Sequence, residues 1–561
     1  MPYLLSLETV LAVIQLLDYF SPSYYIQKNR FWEETTFRTG APLLGPIVIF
    51  TLLMIFWILA KNPKWVILPS LGFISFISLD TATSVALVSL LCVLVCIYLN
   101  RDIRSFSIGL LSIMCFIEAE ALLQWLVLTP LGIGNPLADL TELEINLYYL
   151  VAQFSPVFML LFALAGIGVP LHHLVKKPQE IKTDKTEIAR IQNKEFLLLS
   201  LIVILSITVA LYPYIPNVNP LNENPGADIS SYLLEYKQVE GDVSKIFEVS
   251  GGSRPIYYLL LFGFQKLASL DALSATRYHS IILNPLLVLS IFFLAREVIR
   301  DNGAAVFSAF FTAAGFTLSV GMYAYFLADM LMLSIIFLSL AFLLRSVRTR
   351  SRVDLVAATT LGCLFVFTHP WTFNQYMAAV AVTTILVTYT YIRSRSEATN
   401  SKILIIYCIA IAASNIIKMT VLEGSVEGIS ALGTLAAGLT TTQTFWLDLS
   451  NSSRFYVGGF LTNMPLLALA ALGIVRTKEK TVPNILLWTL LAMTLSVYLI
   501  GDLVIKSRVI FNIPIGIFAS YGILSLDNLI IDSKLRKATI TTIAITLIAY
   551  LFRDLSNLIL R

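Results

Sequence analysis

The polar stretch at residues 212–258 reads YPYIPNVNPLNENPGADISSYLLEYKQVEGDVSKIFEVSGGSRPIYY and interrupts an otherwise apolar chain. It carries Asp228 behind a Pro-Gly turn and ends in Arg254 followed by proline. A connection between membrane helices needs only a few residues, so a loop this long is usually functional or disordered. Its aromatic pairs and alternating apolar residues argue against disorder. We therefore interpret it as an ordered surface segment at a membrane interface.

The composition indicates an integral membrane protein. Of 561 residues, 57% are hydrophobic and 13% are charged, whereas soluble domains carry about a quarter charged residues. Apolar runs of about twenty residues recur along the chain, and each is long enough to cross a bilayer as a helix. The formal net charge is only +4, and no Lys/Arg cluster alternates with exposed aromatics, so no nucleic-acid partner is predicted. The five cysteines all lie in apolar runs and predict no disulfide framework.

The positions of Lys and Arg predict the topology, because short cytoplasmic loops are enriched in both residues. When the predicted spans cross the membrane in alternating directions, nearly every basic cluster lies on the cytoplasmic side. The 214–258 loop then lies on the outer side. Residues 256–270 are short and contain Lys266, which predicts a juxtamembrane or re-entrant helix. The predicted spans are 3–20 (alternatively an interfacial helix), 42–60, 65–79, 83–99, 105–128, 146–168, 196–213, 278–295, 304–323, 330–345, 354–368, 374–392, 403–418, 457–475, 484–500, 509–525 and 538–552.

A basic segment divides the chain into two predicted domains. It reads KKPQEIKTDKTEIARIQNK at residues 176–194, and its Lys/Arg content places it in the cytoplasm. We expect residues 1–190 to comprise an N-terminal transmembrane helical domain of unassigned role together with this cytoplasmic linker. Residues 191–561 are expected to form the second domain. The predicted fold class is all-α, a polytopic membrane protein with juxtamembrane helices in its extracytoplasmic loops.

Several polar residues fall near the outer membrane plane in this topology, where they form the predicted functional site. Lys418, Lys506 and Arg508 fall on the outer side although the charge rule disfavours cations there, and the last two lie in a short turn, GDLVIKSR. The candidate site residues are Asp228, Tyr232, Arg254, Tyr257, Arg277, Tyr323, Asp329, His369, Lys506 and Arg508.

The second domain resembles the GT-C membrane glycosyltransferases, especially the mannosyltransferases that use dolichyl-phosphate-mannose. The resemblance is carried by an acid soon after the first span, Asp228, and by the run RYHSIILNPLLVLSIFFLAREV at 277–298. An acid that opens a later span, Asp329, and a basic residue that opens a late one, Arg508, fit the same pattern. The resemblance covers roughly residues 196–552. The chain lacks a WWDYG-like segment and an Asp-x-Asp pair after Asp228, which argues against an oligosaccharyltransferase.

The resemblance implies an inverting enzyme that takes a sugar from a polyprenyl-phosphate carrier and passes it to a glycan, lipid or protein acceptor. The implied place is the cell membrane of a prokaryote or the endoplasmic reticulum, with an extracytoplasmic active site. Attack by an acceptor hydroxyl on the sugar needs a carboxylate that takes the proton, which is the role expected of Asp228. The departing lipid phosphate needs a cation, and arginine offers a bidentate fork. The second acid, Asp329, is expected to hold a divalent cation (Mg²⁺ or Mn²⁺) or to position a sugar hydroxyl.

Each candidate also has a structural interpretation that the sequence leaves open. Asp228 and Asp329 are both placed where an acid could cap the following helix. His369 precedes a proline and could simply end an interfacial loop. The basic residues Arg254, Arg277, Lys506 and Arg508 could snorkel to lipid headgroups.

Two other functions compete with the enzyme. A transporter or flippase of lipid-linked sugars is the first alternative, but internal repeats and paired broken helices, its usual signature, are not visible in the sequence. A membrane scaffold without activity is the second, and it leaves the outer polar residues unexplained. The observation that would best distinguish these interpretations is whether Asp228 and Asp329 line the same cavity.

Overall fold

The computed structural model describes residues 166–173, 188–216, 228–394, 398–421, 463–477, 480–496 and 510–529, together with residues 219, 222 and 226 and scattered positions beyond 535. Every regular element within these ranges is a helix. The α-helices are α1 Asn193–Leu211, α2 Ile229–Gly241, α3 Pro255–Ala268, α4 Ala272–Tyr278, α5 Ser280–Ile299, α6 Asn302–Ala314, α7 Phe316–Tyr323, α8 Leu327–Thr349, α9 Arg352–Phe365, α10 Pro370–Ser394, α11 Ala398–Val421, α12 Asn463–Arg476, α13 Val482–Ser496 and α14 Ile515–Leu529.

Six helical segments among the described residues are long and apolar enough to cross a membrane, so the chain is a multi-pass helical membrane protein. They coincide with predicted spans 196–213, 278–295, 304–323, 330–345, 374–392 and 403–418. The segments are Asn193–Tyr214, Ala272–Ile299, Asn302–Met322, Leu327–Thr349, Thr372–Ile392 and Asn400–Thr420. The predicted spans before residue 166 and most of 538–552 lie outside the described residues.

Two predicted spans have different boundaries in the structure. The span predicted at 354–368 is helix α9, whose 14 residues reach only about 21 Å. It ends at Phe365, and a turn at 366–368 leads to His369, which precedes proline and is therefore sterically disfavoured in the α conformation. The span predicted at 509–525 contains a turn at 510–513, closed by a hydrogen bond from the Ile513 amide to the Ile510 carbonyl oxygen at 3.0 Å, and helix α14 starts only after Pro514. A proline at the first position of a helix, or just before it, loses no intrahelical hydrogen bond.

The chain divides into two compact units. One comprises residues 1–161, 449–468 and 529–553, and few of these are described. The other comprises 162–448, 469–528 and 554–561 and holds nearly all the described helices. The predicted domain boundary at residue 190 stays a prediction, because most of the first 190 residues lie outside the described ranges.

The core of the second unit lies around helices α5 and α8. Helix α5 packs against α1, α6 and α8, and α8 also packs against α9 and α11. Leu287 and Phe292 of α5 and Leu343 of α8 are wholly buried. At one end the pair is fastened by Arg348 of α8, whose guanidinium lies 2.9 Å from the Glu297 carboxylate of α5. This basic end is the one that the charge rule places in the cytoplasm.

Glycines let α14 approach its neighbours at backbone contact. A Cβ atom on Gly522 would lie 2.0 Å from the carbonyl oxygen of Leu469 in α12, and one on Gly473 would lie 1.8 Å from that of Phe518. Small residues at such crossings are typical of membrane helices, whose association relies on close van der Waals packing. This packing holds the 510–513 turn, which supplies one residue of the site described below.

Helix α3 is short and carries an exposed apolar stripe formed by Leu259, Leu260 and Leu267. Its opposite face buries Tyr257, Leu261 and others. A short helix with one apolar exposed face is typical of a segment that lies along a membrane surface. Its length and amphipathic character agree with the juxtamembrane helix predicted at 256–270.

Candidate functional site

Asp228 stands directly before helix α2, in the N-cap position. Its side chain makes no capping hydrogen bond, and the residue is half-buried. The polar loop therefore delivers a carboxylate to the start of α2 without using it to close the helix. Tyr232 lies one helical turn further on, with its amide bonded to the Asp228 carbonyl oxygen at 3.1 Å.

Four tyrosines pack together beyond Asp228, and we call Tyr232, Tyr257, Tyr258 and Tyr325 the tyrosine cluster. The Tyr232 ring meets those of Tyr257 and Tyr325 edge-on, at centroid distances of 5.4 and 5.1 Å. Edge-to-face packing of this kind adds stability beyond the buried area. The hydroxyl of Tyr258 donates a hydrogen bond to Glu235.

The cluster is buried and carries one cation. Arg254 donates from Nη1 to the Tyr232 hydroxyl at 3.0 Å, and its guanidinium carbon lies 5.3 Å from the centre of that ring. Burial raises the pKa of Tyr257, Tyr258 and Tyr325 well above the ordinary value of 10.0, because an ionised phenolate is poorly solvated there. The predicted partners Tyr232, Arg254 and Tyr257 are thus brought together by the fold.

Tyr325 was not among the predicted site residues, although the backbone singles it out. It adopts a left-handed conformation with φ 58°, which is uncommon for a residue with a side chain. Its ring is buried in the cluster, and its hydroxyl donates to the Thr276 carbonyl oxygen at 2.6 Å. A Cβ atom on Gly226 would lie 2.6 Å from this ring, so the loop before Asp228 packs directly on Tyr325.

Arg277 binds the polar loop in the structure. Its guanidinium donates to the side-chain oxygen of Asn222 at 3.1 Å and to the Asn222 carbonyl oxygen at 2.9 Å. These bonds anchor the loop that leads to Asp228. The structure therefore gives Arg277 a loop-holding contact, while its predicted binding of substrate stays a prediction.

The second acid lies in a buried polar group formed by Asp329, His369, Thr372 and Asn512, which we call the Asp–His cluster. His369 Nδ1 lies 2.7 Å from Asp329 Oδ1, and Thr372 donates to the same oxygen at 2.7 Å. Asn512 donates to the Thr372 hydroxyl at 3.2 Å. All four residues are almost fully buried.

The capping interpretation of Asp329 is wrong in the structure. The N-cap of α8 is Phe326, and Asp329 lies in the first turn of the helix. A carboxylate there is favoured by the helix dipole, and its side chain is occupied by His369 and Thr372. His369 also does more than end an interfacial loop, because its ring is buried and lies against the Asp329 carboxylate.

The Asp–His cluster also contains two residues that are absent from the predicted site. Thr372 follows His369, the residue just before α10, at a spacing of three, so the two side chains lie about one helical turn apart and the sequence could have indicated this partner. Asn512 lies far away along the chain and offered no such signal. Its amide also donates to Gln375 at 2.8 Å, which extends the polar group along α10.

Backbone contacts connect the segments that carry the two clusters. The amide of Ile256, just after Arg254, donates to the Phe367 carbonyl oxygen at 3.3 Å, two residues before His369. Tyr325 also lies only four residues before Asp329, just ahead of helix α8. The two clusters are therefore neighbours within one compact unit.

Some predicted site residues have no described position. The side chain of Tyr323 and the residues Lys506 and Arg508 lie outside the described part of the chain. Among the described residues no group of three or more His, Cys, Asp or Glu side chains converges, and the neighbours of Asp329 are His369 and Thr372. The predicted metal at Asp329 stays a prediction, as does a cavity common to Asp228 and Asp329.

The comparisons with known proteins give no family assignment. No protein-family model matches the chain, and no curated protein is significantly similar to it.

Proposed function

We propose that this protein is a membrane glycosyltransferase of the GT-C type, which moves a sugar from a polyprenyl-phosphate carrier to an acceptor on the extracytoplasmic face. The observation that carries the proposal is the placement of Asp228. Its half-buried carboxylate caps no helix and stands one turn from Tyr232, which holds the Arg254 guanidinium. An acid and a cation thus belong to the same outer segment, beside membrane-spanning helices.

The chemistry uses the two groups in complementary roles. The acceptor oxygen attacks the sugar C1 while its proton passes to the Asp228 carboxylate, and the bond from C1 to the phosphate oxygen breaks. The electron pair of that bond leaves with the polyprenyl phosphate. A guanidinium near this phosphate stabilises the growing negative charge in the transition state more than in the ground state. Arg254 is a candidate for this role, together with Lys506 and Arg508 from the predicted outer turn.

The tyrosine cluster supports the segment that carries Asp228 in this scheme. Its four rings are buried against one another, and the Tyr232 hydroxyl accepts from Arg254 at 3.0 Å, so the cluster holds the guanidinium at the first turn of α2. A divalent cation at Asp329, Mg²⁺ or Mn²⁺, would supply further charge neutralisation at the carrier phosphate when bound. Asp329 and Thr372 offer the oxygen ligands that such cations prefer, but His369 occupies the carboxylate at 2.7 Å. No step of the proposed mechanism depends on the metal.

A reconstituted assay tests the proposal. The purified protein is placed in proteoliposomes with polyprenyl-phosphate-linked mannose or glucose, and transfer to added glycan, lipid or peptide acceptors is followed with release of the polyprenyl phosphate. We expect acceptor-dependent release. Absence of transfer with every donor and acceptor, from a folded protein, would argue against the enzyme.

A second function, a proton-coupled transporter or flippase of lipid-linked sugars, is favoured by one observation. The Asp–His cluster is buried among helices, where ionisable residues are costly and often mark proton or substrate pathways. The same proteoliposomes distinguish the two functions. Movement of the lipid-linked sugar across the bilayer without cleavage of its phosphate bond, lost in Asp329→Asn but kept in Asp228→Asn, would support the transporter.

A further inference from the structure

Lys418 is a buried lysine near the end of helix α11. Its neighbours Ile416, Ile417 and Met419 are exposed, whereas Lys418 is only 3% exposed. Lysines near the ends of membrane helices usually extend their ammonium group to the headgroups, because burial of a charge is costly. This one turns into the protein instead, which requires specific partners for the ammonium.

The ammonium of Lys418 joins two segments that are distant in sequence. Nζ donates to the Val366 carbonyl oxygen at 2.8 Å and to the Ser253 carbonyl oxygen at 3.4 Å. It also lies 6.0 Å from the centre of the Phe367 ring. Val366 is the C-cap of α9, where the helix dipole favours a positive charge.

The two joined segments carry residues of the two clusters. Ser253 immediately precedes Arg254, which binds Tyr232 of the tyrosine cluster. Val366 precedes by three residues His369, which binds Asp329 in the Asp–His cluster. The backbone hydrogen bond from the Ile256 amide to the Phe367 carbonyl oxygen joins the same two segments, so the lysine reinforces an existing junction.

We propose that Lys418 is a positioning residue that holds the Arg254 segment and the His369 segment in one arrangement, so that both clusters face the same bound substrate. This inference rests on the proposed glycosyltransferase function for its effect on turnover. The ammonium acts through the two backbone carbonyls and does not itself touch the reacting atoms. Displacement of positioned groups by about 1 Å can reduce turnover by about a hundredfold.

The first test measures the geometry without any assay of activity. Nitroxide labels at Leu260 of α3 and Asn374 of α10, both exposed, report the distance between the two segments by pulsed electron paramagnetic resonance. Lys418→Met removes the charge and donors, and Lys418→Arg retains them. We expect the Met variant to broaden or shift the distance distribution and the Arg variant to preserve it. Lys402→Met, an exposed site on the same helix, is the matched control and should leave the distribution unchanged.

The second test separates positioning from a loss of fold. In proteoliposomes with the polyprenyl-phosphate-linked sugar, Lys418→Met should lower kcat by about tenfold to a hundredfold while KM for the donor changes less. Lys418→Arg should recover most of the loss. If the Met variant fails to assemble, Lys418→Gln, which keeps amide donors without charge, takes its place and is expected to show an intermediate loss.

Distinct outcomes identify which idea fails. An unchanged distance distribution in a folded Lys418→Met or Lys418→Gln protein overturns the positioning role, whatever the activity. A parallel fall of kcat and of melting temperature, without rescue by arginine, would likewise reduce Lys418 to a stabilising residue. Absence of transfer by the wild-type protein, with the distance change present, removes the proposed function and leaves the link between the segments intact.

Discussion

The tyrosine cluster and the Asp–His cluster differ in how the chain assembles them. Three of the four tyrosines come from residues 232–258, within the polar stretch, and only Tyr325 arrives from elsewhere. The Asp–His cluster draws one residue each from α8, the turn before α10, α10 itself and the 510–513 turn. The first is largely a local structure of one loop, whereas the second exists only when distant helices have packed.

The two clusters also differ in chemistry. The tyrosine cluster is aromatic, with neutral hydroxyls and Arg254 donating to one of them. The Asp–His cluster contains an acid whose oxygen is contacted by a histidine and a threonine. Under the proposed function the two clusters have separate roles: the loop supplies the acid Asp228 and the cation Arg254, and the helix bundle holds a polar framework. Four experiments test this division of roles.

The largest expected effect is on catalysis by the loop acid. Asp228→Asn keeps the shape of the side chain and removes the proton acceptor, so turnover should fall by about 10²–10⁴. The rate of sugar transfer in proteoliposomes measures the effect. Asp242→Asn is the control, because Asp242 belongs to the same segment and caps a turn through Ser244. Wild-type turnover in a folded Asp228→Asn protein would sink the general-base assignment.

The next effect concerns stability and should be larger in the bundle than in the loop. Asp329→Ala leaves His369 and Thr372 without a buried acceptor and should cost about 1–3 kcal/mol of unfolding free energy. Asp228→Ala removes no capping bond and should cost less than about 0.5 kcal/mol. Unfolding by a graded denaturing detergent measures both. Equal losses in the two variants would contradict the proposed difference between the clusters.

A smaller effect is expected for the hydrogen bond between Arg254 and Tyr232. Tyr232→Phe keeps the ring packing and removes the hydroxyl that accepts at 3.0 Å, which should cost about 1 kcal/mol. The same detergent unfolding provides the measurement, with Tyr391→Phe at a half-exposed position of α10 as control. If the hydroxyl also binds substrate, KM for the donor rises as well. A loss no greater than that of the control would show that the bond contributes little.

The smallest effect is expected from pH. The pKa values of Tyr257, Tyr258 and Tyr325 are raised by burial, so the folded state favours their neutral forms. This stabilisation is fully present below the unfolded pKa of about 10 and is lost only as pH rises through the higher folded values. The absorbance of tyrosinate should therefore show no ionisation of these three residues up to about pH 10 in the folded protein. Replacement of each of the three by phenylalanine should leave the tyrosinate absorbance in this pH range unchanged. A lower absorbance in a variant would show that the replaced tyrosine ionises below about pH 10 and that the cluster is open to water.

Local features of the chain were predictable because they depend on nearby residues. The polar stretch, the proline that begins α3 and the acid before α2 are all visible in the sequence, and three of the four tyrosines lie within that stretch. A short helix was predicted at 256–270 and is observed at Pro255–Ala268, while its place at the membrane surface stays a prediction. The shortness of α9 was missed because the apolar run continues past its end, and the break depends on the His369-Pro370 junction.

Contacts between distant segments were not predictable. The sequence named both Asp329 and His369 as outer polar residues, but it could not show that they lie 2.7 Å apart. It flagged Lys418 only as a cation on the unexpected side, without its carbonyl partners. These facts depend on the rotation of each helix about its axis, which side-chain packing determines.

The sequence by itself determined that the protein is a helical, multi-pass membrane protein, because apolar length and the placement of charges act within each segment. Only the tertiary structure decided which polar groups meet. Tyr325 turns into the tyrosine cluster, Asn512 reaches Thr372, and Lys418 points inward because packed neighbours leave each side chain few other positions. Each meeting joins residues that are far apart along the chain, and such pairings follow from the packing of whole helices and from no local pattern.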